Sequence, residues 1–381
     1  MSDGKNGFEK TKHRFPYEWT LKDANFTKDK GKVFSCFACG GGSTMGYKLA
    51  GFDVIGCNEI DPKMMEAYKT NHKPKYAYLE PIQTFKLRKD LPKELYNLDI
   101  LDGSPPCSSF SMAGNREKDW GKEKKFREGQ AEQVLDNLFF DFIDLAKELQ
   151  PKVVVAENVK GMLLGEAVQY VRRIYDAFTD AGYSLRIAPY LLNASKMGVP
   201  QKRERVFFIA FRNDLAEQFM EQIDMFQRAP KLELEFNEPL INFGEVRTEK
   251  GKDYSHTERG KLMQYRIPSD KCMNDINQRV NNKNSGFNAM IWHDNEVAST
   301  ITAGETNWRY YDGMACSDID YMKVGSYPID YNFMSDSESM AKYMIGMSVP
   351  PVMVAQIATE IYNQWLCKSQ RAWAKKYFNY G

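Results

Sequence analysis

No run of residues reaches the ~18 consecutive apolar side chains that a bilayer span requires, so a membrane-crossing helix is not expected. Net charge is almost absent, with a formal balance of +1. No global field therefore advertises a polyanionic partner, and any nucleic-acid surface has to be local. Histidine is scarce: His13, His72, His256 and His293 are the whole complement, and they show no ligand-like spacing. Cysteines are present but not patterned for pairing. Cys36, Cys39, Cys57, Cys107, Cys272, Cys316 and Cys367 make an odd, scattered set. Without a signal-like leader, that set argues for free thiols in a reducing cytoplasm. Cys36-Phe37-Ala38-Cys39 is a C-x-x-C, but structural zinc takes four ligands and there is no second pair, so no metal site is expected. Repeats and low-complexity tracts are missing as well. Residues 1–30 are polar and lysine-rich, without the apolar core of a secretory signal. They read as a mobile lead with a short amphipathic piece near residues 15–19.

What the sequence does contain is ordinary for a globular protein, at 43 % apolar and 27 % charged residues, and one unusual turn. Gly103-Ser104-Pro105-Pro106-Cys107-Ser108-Ser109-Phe110-Ser111 follows a strand-like run over residues 98–102. Two prolines stop any helix and stiffen the turn, because each fixes its own φ and lacks an N–H. A cysteine held there suits a thiolate nucleophile, whose reactivity depends on a lowered pKa and a fixed approach. A lone cysteine after a strand is more often a packing residue. The motifs elsewhere decide between these readings.

The chain alternates strand and helix. Residues 32–37 form an apolar strand ending in the turn Ala38-Cys39-Gly40-Gly41-Gly42-Ser43, followed by a helix over 44–50 that Gly51 stops. Residues 53–57 form a second strand, ending in Asn58-Glu59-Ile60-Asp61-Pro62, where proline suits the next helix's first turn. A helix is expected over 130–149, with Val134, Leu138, Phe142 and Leu145 at three-to-four spacing. Residues 153–156 read as a central strand, 167–179 as a helix, and 185–192 and 205–211 as late strands. This order predicts an α/β fold with a parallel sheet and helices on both faces. Between Met112 and Gln130 lies a loop rich in glycine and in charge of both signs, placed like a lid or substrate clamp. Residues 213–296 lose the βαβ rhythm and read as a smaller, irregular second domain. Residues 345–351 form a turn, and 352–366 an apolar-faced helix.

Three stretches carry candidate chemistry. A glycine turn after a strand, with Glu59 ending the next strand, is a nucleotide-cradling layout, although Gly40-Gly41-Gly42 alone is equally a tight turn. Glu157 in Val155-Ala156-Glu157-Asn158-Val159 emerges from a buried strand, where desolvation is expected to raise its pKa so that it carries a proton at neutral pH. In Gln201-Lys202-Arg203-Glu204-Arg205, alternation puts Arg203 and Arg205 on one face, as a site for phosphate or carbonyl oxygen or simply as a basic sheet edge.

Taken in order, these motifs resemble the DNA cytosine-5 methyltransferases over roughly residues 32–212 and 297–366. The family's F-x-G-x-G-G stands as Phe37-Ala38-Cys39-Gly40-Gly41-Gly42, with Cys39 in place of the first glycine. Its P-C motif stands as Pro106-Cys107, its E-N-V as Glu157-Asn158-Val159, and its Q-x-R-x-R as Gln201 to Arg205. Its G-N-x-V-P-P stands as Gly346-Met347-Ser348-Val349-Pro350-Pro351, with Met347 in place of asparagine. Ser299-Thr300-Ile301-Thr302 is similar to its T-I-T turn. The resemblance implies a Rossmann-like S-adenosylmethionine-dependent methyltransferase sheet over 31–212, a target-recognition domain over 213–330, and a C-terminal segment over 331–381 returning to the catalytic domain. It implies S-adenosyl-L-methionine as cofactor, held by Phe37, Gly41, Gly42, Glu59, Ile60, Ile82, Pro106, Leu138 and Ser348. The group facing the adenine amine is left open, because the family's aspartate aligns with Glu80-Pro81-Ile82.

By the same resemblance, Cys107 is the nucleophile toward C6 of a flipped-out cytosine, and Glu157 holds N3 and the exocyclic amine. Arg203 and Arg205 flank the pocket. Double-stranded DNA is then the expected partner, with a restriction endonuclease acting separately as a further one, and the protein is expected to be monomeric and cytoplasmic. The alternatives are a tRNA cytosine methyltransferase, whose Cys-Phe-Thr triplet is missing here, a catalytically silent DNA-binding homologue, and a dinucleotide oxidoreductase, whose glycine spacing does not match.

Overall fold

The computed structural model describes residues 13–106, 137–165, 167–225, 227–284, 289–334 and 339–369, with the backbone of two short strands between 106 and 137. Five strands run parallel through the middle: β1 (Lys32–Cys36), β2 (Asp53–Glu59), β3 (Tyr76–Leu79), β4 (Ile100–Gly103) and, after the short antiparallel pair β5 (Glu123–Lys124) and β6 (Gln133–Val134), β7 (Val153–Val159). Between them lie α1 (Gly42–Leu49), α2 (Pro62–His72), α3 (Ile82–Phe85) and α4 (Leu138–Leu149). After α5 (Ala167–Asp180) come β8 (Tyr183–Leu185), β9 (Tyr190–Asn193), β10 (Gln201–Lys202) and β11 (Glu204–Arg212). The main sheet has the order β3-β2-β1-β4-β7-β11-β8, with β9 also on β11.

Both faces of this sheet are covered, and period-two alternation sorts the side chains. Phe34, Val154, Ala156, Val206, Phe208 and Ala210 point into one core with α3, α4 and α5. Val33, Val153, Val155, Phe207, Ile209 and Phe211 point into the other, against α1 and the C-terminal helix. Strands buried on both sides have to be apolar throughout, which is why 153–156 reads as an unbroken apolar run. Asp61 caps α2 by accepting from Lys63 N and Met64 N, with Pro62 in the first turn.

The sheet is not wholly parallel. β11 runs antiparallel to both β7 and β9. A parallel crossover needs a dozen or more residues, and the link from β9 to β11 holds a single helical turn, Ala194–Met197. The strand expected over 185–192 is two strands, because Pro189 removes a ladder donor between them. The helix expected from 130 starts at Leu138, and Gln133–Val134 is extended instead.

Beyond β11 the elements are short. They are α6 (Asn213–Ala216), the hairpin β12 (Met220–Gln222) with β13 (Arg228–Pro230), α7 (Phe243–Val246), α8 (Glu258–Met263) and α9 (Met273–Asn281). Then follow β14 (Ile291–Trp292), β15 (Ala298–Ser299), β16 (Trp308–Arg309) and α10 (Asp318–Val324). β15 pairs with β10 and so ties this region to the Gln201 end of the main unit. A third core of Trp19, Phe243, Trp292, Tyr321 and Tyr327 holds it together.

Residues 13–30 are not a mobile lead. Trp19 is buried, its Nε1 donates to Ser326 O at 3.0 Å, and Asp330 accepts from the backbone of Leu21 and Lys22. An aromatic anchor and paired backbone outweigh the polar composition. Residues 1–12 lie outside the described residues.

The last described elements are α11 (Ser339–Met347) and α12 (Pro351–Ile361), which continues through a wider turn over Tyr362–Leu366. Contrary to the composition-based expectation, Met340–Ser369 is long and apolar enough to cross a membrane. Most of it is buried against α1 and the sheet, so the core accounts for its apolar character. The closest approach is at Gly46, where a Cβ would lie 2.4 Å from Pro351 O and 2.5 Å from Val354 Cβ. Gly46→Val should therefore destabilise the protein by about 3 kcal/mol in urea denaturation. Gly304→Ala, where a Cβ meets open space, should shift stability by less than about 0.5 kcal/mol.

Candidate active site

β1, β2, β4 and β7 deliver their carboxyl ends to one edge of the sheet, and the chain departs in opposite directions from β1 and β4. Ligands bind such sheets in the crevice outside that edge. The glycine turn leaves β1 there, Glu59 ends β2, the Pro105-Pro106 turn leaves β4, and Glu157 nears the end of β7.

The glycine turn is held from three sides. Gly41 N donates to Ala38 O, and the Cys39 N–H donates to Glu59 Oε2 at 2.7 Å. Cys39, standing where glycine was expected, takes the left-handed conformation at φ 49°, and Gly41 follows at φ 82°. Glu59 also accepts from Ile60 N and Asp61 N on Oε1, so its buried carboxylate fixes the loop before it meets any ligand. Burial pushes its pKa up, and the three N–H donors oppose that rise. Gly42 sits against the other end of the chain: a Cβ there would be 2.4 Å from Val349 O and 2.9 Å from both Ser348 Cβ and Tyr327 Oη. Phe37 meets Phe142 of α4 edge-on, with ring centroids 6.3 Å apart. Ile82 and Leu138, at the starts of α3 and α4, are buried in the same core, while Ile60 and Pro106 are half-buried.

The catalytic candidates divide. Glu157, expected as a partly desolvated carboxyl emerging from a buried strand, has a charged partner. Arg205 Nε lies 2.8 Å from its Oε1, and both groups are largely buried. Arg203 is fully buried, with Nη1 donating to Ile301 O at 3.1 Å and Nη2 to Gly346 O at 2.8 Å. Its fork is occupied by carbonyls, so Arg205 is the guanidinium that faces Glu157. Cys107 lies outside the described residues, as does most of the loop from 112 to 130. Its anchor does not: Asn158 Nδ2 donates to Pro105 O at 3.0 Å and fastens the proline turn to the strand that bears Glu157.

A family model for C-5 cytosine-specific DNA methylases matches residues 31–363. The chain belongs to that family. Among methylases of curated description, the Type II methyltransferase M.FnuDI of Fusobacterium nucleatum is 39% identical over 184 residues, 48% of each chain. M.NgoFVII of Neisseria gonorrhoeae is 25% identical over 354 residues, 90% of this chain and 89% of its own length. The first of these alignments spans about half the length of the relatives matched. Among solved structures, a prophage-encoded E. coli chain superposes with a TM-score of 0.61 at 18% identity, covering 87% of this chain and 98% of its own. Spodoptera frugiperda DNMT2 gives 0.58 at 16%, covering 87% and 99%, and at these identities the likeness speaks for the fold.

Membership in the methylase family and the fold imply S-adenosylmethionine. The residues fit such a group in that Ser348 Oγ and Tyr327 Oη are buried beside the glycine turn without a well-formed hydrogen bond. Ser348 was expected from sequence and Tyr327 was not.

Asp102 was also missed. It ends the strand before the Gly103 turn, fully buried, and accepts from Ser35 Oγ at 2.7 Å and Tyr47 Oη at 3.1 Å. It therefore ties β1 and α1 to the strand that carries the Pro105-Pro106 turn. The signal was a carboxylate inside an otherwise apolar strand. Burial pushes its pKa up to about 7, the hydroxyl donors lower it, and the charge of Glu157 raises it further. Folded Asp102 thus keeps its proton where the unfolded chain has lost it. Its contribution to stability is full below about pH 4, falls as the pH rises, and levels off above 7. The stability of wild type relative to Asp102→Asn should decline by up to about 1.4 kcal/mol per pH unit between pH 4 and 7, measured by urea denaturation across that range.

Proposed function

We propose that this chain transfers a methyl group to C5 of cytosine in duplex DNA, using S-adenosylmethionine. The observation that carries this reading is the Asn158–Pro105 hydrogen bond beside the Glu157–Arg205 pair, at the strand edge shared with the glycine turn. It supports the reading because the proline turn that precedes Cys107 is fastened to the strand that bears the paired Glu157.

Cytosine C5 is a poor nucleophile until something adds at C6. The Cys107 thiolate adds there and moves electron density toward C5. Glu157, oriented by Arg205, hydrogen-bonds N3 and the exocyclic amine, and a proton held at N3 neutralises the charge that develops on the ring. Arg205 has further N–H donors for the base carbonyl. Bound S-adenosylmethionine supplies an electrophilic methyl on its sulfonium; Gly41, Gly42, Ser348 and Tyr327 would hold its amino-acid end and Glu59 its ribose hydroxyls. Loss of the C5 proton to solvent then restores the C5–C6 double bond and expels the Cys107 thiolate. Arg203 has a positioning role, holding the 301 and 346 turns against β10 and β11.

No ring atom of a stacked base can be reached in this way, so the base must leave the helix at a cost of a few kcal/mol. Residues 213–330 would contact the surrounding DNA, and the charged loop after Cys107 its phosphates. We propose likewise that it acts in the cytoplasm, beside a separate restriction endonuclease, a reading in keeping with relatives named Type II methyltransferases.

The test is tritium release from duplex DNA labelled at cytosine C5, with S-adenosylmethionine present and tRNA as the rival substrate. Wild type should release label from DNA. Cys107→Ser should release none while still binding DNA in a mobility shift. Glu157→Gln should lower the turnover rate by about 10² to 10⁴. Release from tRNA alone, or undiminished release by Cys107→Ser, would falsify the reading.

A further inference from the structure

One buried polar chain lies behind the glycine turn, and the mechanism above leaves it unused. His72, the last residue of α2, is buried with its ring against Gly41: a Cβ on Gly41 would lie 2.3 Å from His72 Nε2. On the other side of the ring, Lys48 Nζ of α1 stands 3.3 Å from His72 Nδ1 and 3.4 Å from His72 O. His72 Nε2 is 3.4 Å from Tyr331 Oη, and Tyr331 Oη donates to the carbonyl of Gly40. Tyr68 packs over the imidazole with ring centroids 4.8 Å apart.

The direction of this chain follows from the chemistry of its first member. An ammonium has three donors and no acceptor. Nδ1 must therefore be the bare nitrogen, and the ring proton sits on Nε2. That proton points at Tyr331 Oη, leaving the phenol hydrogen for the Gly40 carbonyl. With the other tautomer the phenol would be drawn to Nε2 and Gly40 O would lose its donor. Burial and the neighbouring Lys48 charge both keep the imidazole neutral, as the chain requires.

We propose that His72 is a positioning residue for the cofactor loop: Lys48 fixes its tautomer, and through Tyr331 it holds the Gly40 carbonyl so that the turn stays shaped for the sulfonium nucleoside. This rests on the reading that the Gly40–Gly42 turn receives S-adenosylmethionine. The residue acts through the backbone and touches no reacting atom.

Two measurements test it. Ring-nitrogen NMR shifts at neutral pH should place the His72 proton on Nε2 in the wild type and show a shift toward the other tautomer in Lys48→Met. A proton on Nδ1 in the wild type would overturn the proposal. Calorimetric binding of S-adenosylhomocysteine should weaken about tenfold in Tyr331→Phe, the loss of one neutral hydrogen bond, with little change in melting temperature. Because the phenylalanine variant removes a single oxygen, the test survives if larger changes at 72 fail to fold. His72→Gln, which keeps a donor near the Nε2 position, should bind more tightly than His72→Phe, whereas a packing role would favour phenylalanine. Wild type that binds S-adenosylhomocysteine no better than these variants overturns this role alone. Wild type that does not bind it at all overturns the cofactor reading with it.

Discussion

A single buried guanidinium holds the edge of this molecule together. Arg203 reaches from the start of β11 to two carbonyls far away in sequence, those of Ile301 and Gly346. Each is a charge-assisted hydrogen bond in a site closed to water, worth about 1.5–3 kcal/mol. The bare alternative, a desolvated cation with nothing to bind, costs several kcal/mol. The two turns are thus bound to the sheet edge as a condition of burying the arginine. Gln201 adds to the same knot by accepting from Ile301 N, and Thr300 Oγ1 donates to Lys202 O. Ser348 reaches the glycine cradle only because residue 346 is held in this way.

Around that knot, polar groups do two jobs at once. Glu59 finishes a strand and clamps the turn that precedes its neighbour helix. Asp102 bridges β1, α1 and β4. Asn158 secures a proline turn whose own amides are missing. All sit at carboxyl ends of strands, where the sheet's ladder runs out and backbone groups need partners. The site is the place where the fold must satisfy its loose ends, and the proposed cofactor and base would bring further donors and acceptors to the same place.

How much of this could be read from the sequence follows from what local rules can see. The strand-helix-strand order of 32–57, the buried strand over 153–156 and the proline start of α2 depend on periodicity and proline, which are local, and they stand as expected. The sense of β11 depends on the length of one connection and was missed. Trp19 was hidden in a polar segment, because burial of one aromatic depends on a groove formed by residues 326–330. The motif residues were legible by name, yet their partners were not. Arg203 and Arg205 share a face, and only the folded chain tells that one holds carbonyls while the other pairs with Glu157. Tyr327, Tyr331 and His72 carry no motif, so only three-dimensional proximity reveals them.

The packing of α12 on α1 across Gly46 has a consequence for synthesis. α1 is translated long before α12, the helix that covers it. Until then one face of the central sheet stays bare, exposing Val33, Val153, Val155 and Phe207. A polypeptide that stops short of α12 would leave that apolar surface uncovered and be prone to aggregate.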